Sequence, residues 1–189
     1  MQVFLETERL LLRRFTEADV ENLVSLDGDP EVMRFINGGR PVSQAEICAA
    51  VLPGMLLCYE RFPGFGFWAA VAKSTGGFLG WFEFRPTESS GPGEVELGYR
   101  LCQSAWGKGY ATEGARALVR KGFTELGVVR VFATTMAVNL ASRRVMEKAG
   151  LRYVRTFHLS WPEYIDGAEH GDVEYALTRA EWEEQGTGR

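Results

Sequence analysis

The sequence predicts one mixed α/β (α+β) domain over residues 1–189. About seven runs that alternate apolar with polar residues, or are short and continuously apolar, read as strands. Helical-period runs separate several of them, and no internal repeat or flexible linker divides the chain. Composition agrees: 189 residues can bury a sizeable core, and 46% hydrophobic with 24% charged residues is ordinary for a globular protein.

Residues 8–15 (Glu-Arg-Leu-Leu-Leu-Arg-Arg-Phe) form the first expected strand. Thr16, with Asp19 three residues on, reads as the cap of a helix running to about Leu26. Asp27-Gly28-Asp29-Pro30 breaks it, and a short helix follows over residues 31–35. Asn37-Gly38-Gly39-Arg40-Pro41 is a loop. Ser43-x-x-Glu46 is a capping-box pattern opening a helix toward Arg61, which Pro53-Gly54 should kink or interrupt. Residues 67–73 and 78–84 flank Ser74-Thr75-Gly76-Gly77 as a hairpin, and a polar loop over 86–93 leads to a strand at 94–101. The next helix, from Thr112, carries Ala111, Ala115, Leu118, Val119, Gly122 and Leu126 at helical spacing and stops at Gly127. A strand over 128–135, a helix over 140–149 closed by Gly150, and a strand over 151–159 follow. A loop rich in Trp, Pro, Gly and acids then leads to a last strand, 172–177, and Thr178 caps a short terminal helix.

The net charge of −4 argues against a nucleic-acid partner, which needs a basic surface, and suits an enzyme that accepts a cationic substrate. No apolar run reaches membrane-spanning length, and Met1-Gln2-Val3-Phe4-Leu5-Glu6 lacks a basic lead, so a cytoplasmic monomer or homodimer with no membrane partner is expected. Cys48, Cys58 and Cys102 are widely spaced with no Cys-x-x-Cys, so neither a disulfide framework nor a metal site is expected.

The most informative segment is Trp106-Gly107-Lys108-Gly109-Tyr110-Ala111-Thr112. A strand that feeds a small-residue turn and then a helix N-terminus presents free N–H groups and the positive end of the helix dipole, an anion site suited to a pyrophosphate. Two common phosphate motifs do not fit. A P-loop needs Gly-Lys-Ser/Thr where Gly114-Ala115-Arg116 stands, and a dinucleotide fingerprint needs a third small residue where Thr112 stands.

Trp106 to Ala111 resembles the acetyl-coenzyme A motif of the GCN5-related N-acetyltransferases, (Gln/Arg)-x-x-Gly-x-(Gly/Ala), with Trp first. Glu96-Leu97-Gly98-Tyr99-Arg100-Leu101 is similar to the family's central strand, and the segment from Asn139 to Gly150 to its second motif. The ending Tyr175-Ala176-Leu177-Thr178-Arg179-Ala180-Glu181-Trp182 resembles the RimJ/RimL-like branch, so the likeness spans residues 7–182. It implies a largely antiparallel sheet with one splayed parallel pair and helices on both faces. It also implies that acetyl-coenzyme A lies in the splay. The coenzyme would contact Tyr99, Arg100, Leu101 and Cys102 on the strand and Gly107, Lys108, Gly109, Tyr110, Ala111 and Thr112 in the turn. Asn139, Ser142 and Arg143 would meet it from the second motif, Asn139 also serving as a helix cap. Trp106 is expected to pack beside the loop.

Acetyl transfer to an amine needs a group that takes the ammonium proton and one that protonates the leaving thiolate. Along residues 94–101, Val95, Leu97, Tyr99 and Leu101 share one face, and Glu94, Glu96, Gly98 and Arg100 the other. Glu96 is therefore the first candidate base, with an ion pair to Arg100 as its bland alternative, and Glu83 on the neighbouring strand is the second candidate. Many family members carry a second-motif tyrosine as the acid; Met146 stands there in this chain, and the RimL-like pattern puts Ser142 in that role. A backbone N–H near Cys102 is expected to polarise the thioester. Cys102 as a nucleophile, and His158 or His170 as a base, lack partners at a suitable spacing.

The acceptor pocket is expected from residues 27–41 and 160–172, with Glu163, Asp166, Glu169 and Asp172 as an acidic rim and Trp161 and Tyr164 at its mouth. Core packing is expected for Trp68 and Trp81. The resemblance implies an N-acetyltransferase acting on a protein N-terminal amine or a small amine. The absent tyrosine leaves a non-catalytic acyl-coenzyme A sensor or scaffold as the alternative.

Overall fold

Eight strands build one sheet, one more than the sequence suggests, in a computed structural model that describes residues 2–88, 90–159 and 165–187. The additional strand is β1 (Val3–Glu6), which pairs antiparallel with β2 (Leu10–Arg14). Its four residues carry little signal alone, and tertiary packing fixes them: Phe4 stacks on Trp68 with ring centroids 3.6 Å apart. β3 (Gly66–Ala72), β4 (Phe78–Arg85) and β5 (Glu94–Leu101) continue the antiparallel ladder. β6 (Arg130–Met136), β8 (Asp172–Thr178) and β7 (Arg152–Phe157) complete the sheet in that spatial order.

The helices start where caps allow. Asp19 accepts from the Thr16 N–H at 2.9 Å, but the turn so capped is a 3₁₀ turn, Glu17–Asp19, which leads into α1 (Val20–Asp27). α2 (Pro30–Asn37) has Pro30 in its first turn and ends at Gly38 in the left-handed region, φ 73. Pro53 does not interrupt the next helix. α3 (Gln44–Glu46) runs through a π-helical stretch, Ile47–Val51, into α4 (Leu52–Arg61), and the Leu52 N–H reaches back five residues to Ile47 O. The wider turn accommodates a residue that has no N–H and whose ring would strike the carbonyl four residues back.

Helices cover both faces of the sheet. On one face, α5 (Tyr110–Glu125) and α6 (Leu140–Lys148) bury Leu118, Val119, Phe123 and Met146 against Phe82, Phe84, Leu97 and Leu101. On the other, Leu23, Leu26, Val32, Ile47, Leu52 and Met55 of α1 to α4 pack on Ala69 and Trp81. Helix α5 sits close to the sheet because a Cβ on Gly114 or Gly122 would lie 2.3 or 2.6 Å from the ring of Phe82 or Phe84. Gly114→Ala gains about 1 kcal/mol of helix propensity but overpacks a rigid aromatic contact. A net loss of about 1–2 kcal/mol is expected, read as a lower midpoint in chemical denaturation with an unchanged slope.

The parallel pair is short. Only Glu94, Val95 and Glu96 of β5 pair with Arg130, Val131 and Phe132 of β6. Beyond them β5 stays on β4, with Gly98 opposite Glu83, while β6 continues on β8, with Ala133 opposite Tyr175. A V-shaped opening results, bounded by the two strands and by the first turns of α5 and α6. No helix among the described residues is long and apolar enough to cross a membrane.

Candidate functional site

Strand geometry decides which backbone groups line the V. The Cys102 N–H donates to Leu79 O at 2.9 Å, so Arg100 and Gly98, in phase with it, also turn their backbone groups toward β4. Leu97, Tyr99 and Leu101 then direct theirs into the opening. The Cys102 N–H itself is thus committed to β4, so a backbone N–H near Cys102 that polarises a thioester must come from a neighbour, and the donors available at this edge belong to Tyr99 and Leu101. The Leu101 carbonyl is taken by the Trp106 indole N–H at 2.7 Å, which ties the half-exposed Trp106 beside the loop. Burial raises the Cys102 thiol pKa, which makes it a poor nucleophile.

At the loop, Gly107 and Gly109 sit in the left-handed region, with φ 71 and 82, and α5 begins at Tyr110, two residues before the expected start. The first-turn N–H groups of Tyr110, Ala111 and Thr112 have no intrahelical acceptor. Lys108 is exposed. Arg9, from the turn between β1 and β2, reaches this loop: Nη1 donates to the Lys108 carbonyl at 2.8 Å and the guanidinium lies 4.6 Å from the Tyr110 ring centroid. Sequence reading missed Arg9 because no local pattern links it to a turn so distant in the chain.

Across the V, Asn139 caps α6: Oδ1 accepts from the Ser142 N–H at 3.2 Å while Nδ2 donates to Thr135 Oγ1 at 3.1 Å. Arg143 turns inward, with Nε donating to Tyr175 Oη at 3.1 Å and Nη1 to the Ala137 carbonyl at 2.9 Å. The Tyr99 hydroxyl stands 3.0 Å from Ser142 Oγ and donates to Ser142 O at 2.9 Å, joining β5 to the start of α6. Burial drives the Tyr99 hydroxyl well above the usual tyrosine range, so it stays protonated. Met146 is buried in the core, away from the opening.

The other face of β5 carries charge. Glu83, Arg85, Glu96, Gly98 and Arg100 share it, because directly opposed residues of an antiparallel pair project the same way. Arg100 forms a buried ion pair with Asp27 at 2.6 Å, so the alternative Glu96–Arg100 pairing is not the one made. Glu96 accepts from Thr134 Oγ1 at 3.3 Å and lines an open cleft of about 590 Å³ with Arg61, Phe62, Arg85, Thr87 and Glu88. Burial pushes the Glu96 pKa up, with the Thr134 bond and the Arg85 charge opposing it. Glu83 is more deeply enclosed. Desolvation raises its pKa to about 7 despite an ion pair with Arg85 at 2.7 Å, and a Cβ on Gly98 would lie 2.9 Å from its Oε2.

The expected acceptor rim is only partly on the surface. Asp166 and Glu169 are exposed, but Asp172 and Asp27 are buried. Trp68 and Trp81 are core residues, while Trp161, Glu163 and Tyr164 lie outside the described residues. His170 lies 3.7 Å from Glu169, and no group of His, Cys, Asp and Glu among the described residues is arranged to hold a metal.

Residues 9–152 match the family model described as the acetyltransferase (GNAT) domain. The chain is 39% identical over 187 residues to the FsC-acetyl coenzyme A-N(2)-transacetylase of Aspergillus fumigatus, covering 96% of this chain and 78% of that protein. Among solved structures it resembles a GNAT-family acetyltransferase from Bacillus anthracis, at TM-score 0.75 and 26% identity, over 95% of this chain and 99% of that one. Its fold also matches RimL, the ribosomal L7/L12 α-N-protein acetyltransferase, in complex with coenzyme A (TM-score 0.76, 20% identity, 94% and 98% coverage). The open strand edge and the unpaired first turn of α5 fit a donor with an amide-bearing arm and a diphosphate. The chain belongs to the GNAT acetyltransferases, acyltransferases whose acetyl donor is acetyl-coenzyme A.

Proposed function

We propose that this enzyme acetylates the primary amine of a small molecule, with acceptor and donor meeting across the V between β5 and β6. The observation that carries the reading is the division of β5, with carboxylates on one face and the hydroxyl pair Tyr99–Ser142 on the other. Acetyl-coenzyme A, when bound, supplies an activated acetyl thioester. The backbone groups of Tyr99 and Leu101 hold the pantetheine arm as an added strand, and residues 107–112 hold the pyrophosphate, with the exposed Lys108 as a flanking cation, whereas Arg143 is committed to Tyr175 and Ala137. Asn139 keeps the start of α6 in place.

Glu96 receives the acceptor's ammonium proton in the cleft, directly or through a water, its basicity raised by burial, and its charge in turn raises the pKa of Glu83 behind it. Ser142 Oγ gives a proton to the leaving sulfur and regains one from solvent, while the Tyr99 hydroxyl, 3.0 Å from Ser142 Oγ and donating to Ser142 O at 2.9 Å, holds the serine in place. This assigns to Ser142, held by a β5 tyrosine, the work that Met146 cannot do. Tyr99→Phe is expected to lower kcat about tenfold and Ser142→Ala by at least as much, with the double variant no worse than Ser142→Ala. Fully multiplicative losses would separate the two hydroxyls.

A small-molecule acceptor is favoured over a protein N-terminus because the relative at 39% identity is named for an N(2) acetylation, whereas the likeness to RimL bears on fold alone. Free-thiol release from acetyl-coenzyme A with small α-amines, polyamines and N-terminal peptides tests this directly. Turnover of peptides alone would overturn the acceptor assignment, and tight coenzyme binding without acceptor-dependent release would favour the sensor alternative.

A further inference from the structure

Arg9 occupies an electrostatically awkward position. It lies beside the N-terminus of α5, where the helix dipole disfavours a cation. Three sets of contacts hold it there. Its Nε donates to Glu113 Oε2 at 2.6 Å, and Nη2 lies 2.6 Å from the same oxygen. Its backbone N–H donates to Glu113 Oε1 at 2.9 Å, and Thr7 Oγ1 donates to that oxygen at 2.6 Å. Its Nη1 takes the Lys108 carbonyl at 2.8 Å, while the guanidinium plane covers Tyr110. Burial works to raise the Glu113 pKa, but the bonds from Thr7 and Arg9 hold it below the usual carboxylate range.

The Lys108 contact has a directional consequence. In a planar trans peptide the C=O and the following N–H point in opposite directions. Fixing the Lys108 carbonyl on Arg9 therefore turns the Gly109 N–H away from Arg9 and fixes the turn that leads into the free N–H groups of Tyr110 to Thr112. Gly109 leaves room for this, since an added Cβ would lie 3.4 Å from Arg9 Nη2 at a φ of 82 that already disfavours side chains. Glu113 neutralises the arginine without touching the loop carbonyls.

We propose that Arg9, braced by Thr7 and Glu113, is a positioning residue for the coenzyme's pyrophosphate, holding the 107–112 turn with its N–H groups aimed at the anion. The β1–β2 turn thereby acts in donor binding although it lies outside the glycine loop. This rests on the reading that residues 107–112 hold the pyrophosphate.

The test compares dissociation constants for coenzyme A and for pantetheine, which lacks the diphosphate and nucleotide, by calorimetry on the full chain. Wild type should prefer coenzyme A. Arg9→Ala should weaken coenzyme A by about tenfold or more while pantetheine changes by less than about twofold, and Arg9→Lys should fall between, since it keeps one donor and the charge. Equal weakening of both ligands, or of neither, overturns the proposal, as a general loss of structure would produce the former. The double variant Arg9→Ala/Glu113→Gln guards against a second explanation. If removing the freed carboxylate restores coenzyme A binding, repulsion caused the loss and positioning is refuted; if the loss persists, positioning stands. A wild-type protein that binds both ligands equally would instead refute the pyrophosphate reading itself, and the proposal with it.

Discussion

Glu96→Gln is expected to lower kcat/KM by roughly 10²–10³-fold while leaving coenzyme A affinity within about twofold of wild type. The substitution preserves shape, and the glutamine oxygen still accepts from Thr134 Oγ1, so the cleft should keep its form. What it removes is the β5 carboxylate, which lines the open cleft and faces away from the donor side of the strand. The affinity control follows from topology: the 107–112 turn and the Tyr99–Ser142 pair belong to the opposite face or to the far end of the strand. A mainly structural Glu96 would instead show a stability loss with little change in rate. The rival ion pair with Arg100 gives no refuge to that view, since Asp27 already occupies Arg100 at 2.6 Å. A loss smaller than about threefold, in the pH range where wild type is fully active, would remove Glu96 from the mechanism.

Much of this arrangement was legible before any coordinates. The alternation in Glu-Val-Glu-Leu-Gly-Tyr-Arg-Leu encodes two faces, and the structure places Val95, Leu97 and Leu101 in the core and Glu96 at the cleft. The glycines at 107 and 109 signal a small-residue turn before a helix, and that turn is found, with both glycines in the left-handed region. What stayed hidden is non-local. The β1 strand exists because β2 and Trp68 give it partners, and Arg9 meets Glu113 only once the β1–β2 turn folds over α5. The Tyr99–Ser142 contact likewise spans two elements that no spacing rule connects. Register hid the last item: periodicity shows that Cys102 ends the strand, but only its bond to Leu79 shows which way its N–H points. Pro53 misled for a different reason, because a π-helical stretch absorbs a proline without a break in the helix.

Glu83→Gln should separate stability from activity, and the sign follows from linkage. Burial raises the folded-state pKa of Glu83 to about 7, against 4.5 for a solvated glutamate. Between those values the folded chain binds more protons at this site than the unfolded chain does, so this group's contribution to stability falls as pH rises. From about pH 5 to about pH 8 the accumulated cost is roughly 2–3 kcal/mol, with the attraction of Arg85 already contained in the shifted pKa. The variant has no such dependence. Glu83→Gln is therefore expected to gain roughly 2–3 kcal/mol on wild type as pH is raised over that range, read from denaturation midpoints at the two ends. Its rate should fall less than that of Glu96→Gln, by about tenfold or less, because Glu83 lies behind Glu96 and does not line the cleft. A stability difference that stays constant with pH would show that Glu83 titrates as an ordinary carboxylate. A rate loss larger than that of Glu96→Gln would make Glu83 the base. An acid kept in place at a cost to alkaline stability is the signature expected of a residue retained for chemistry rather than for the fold.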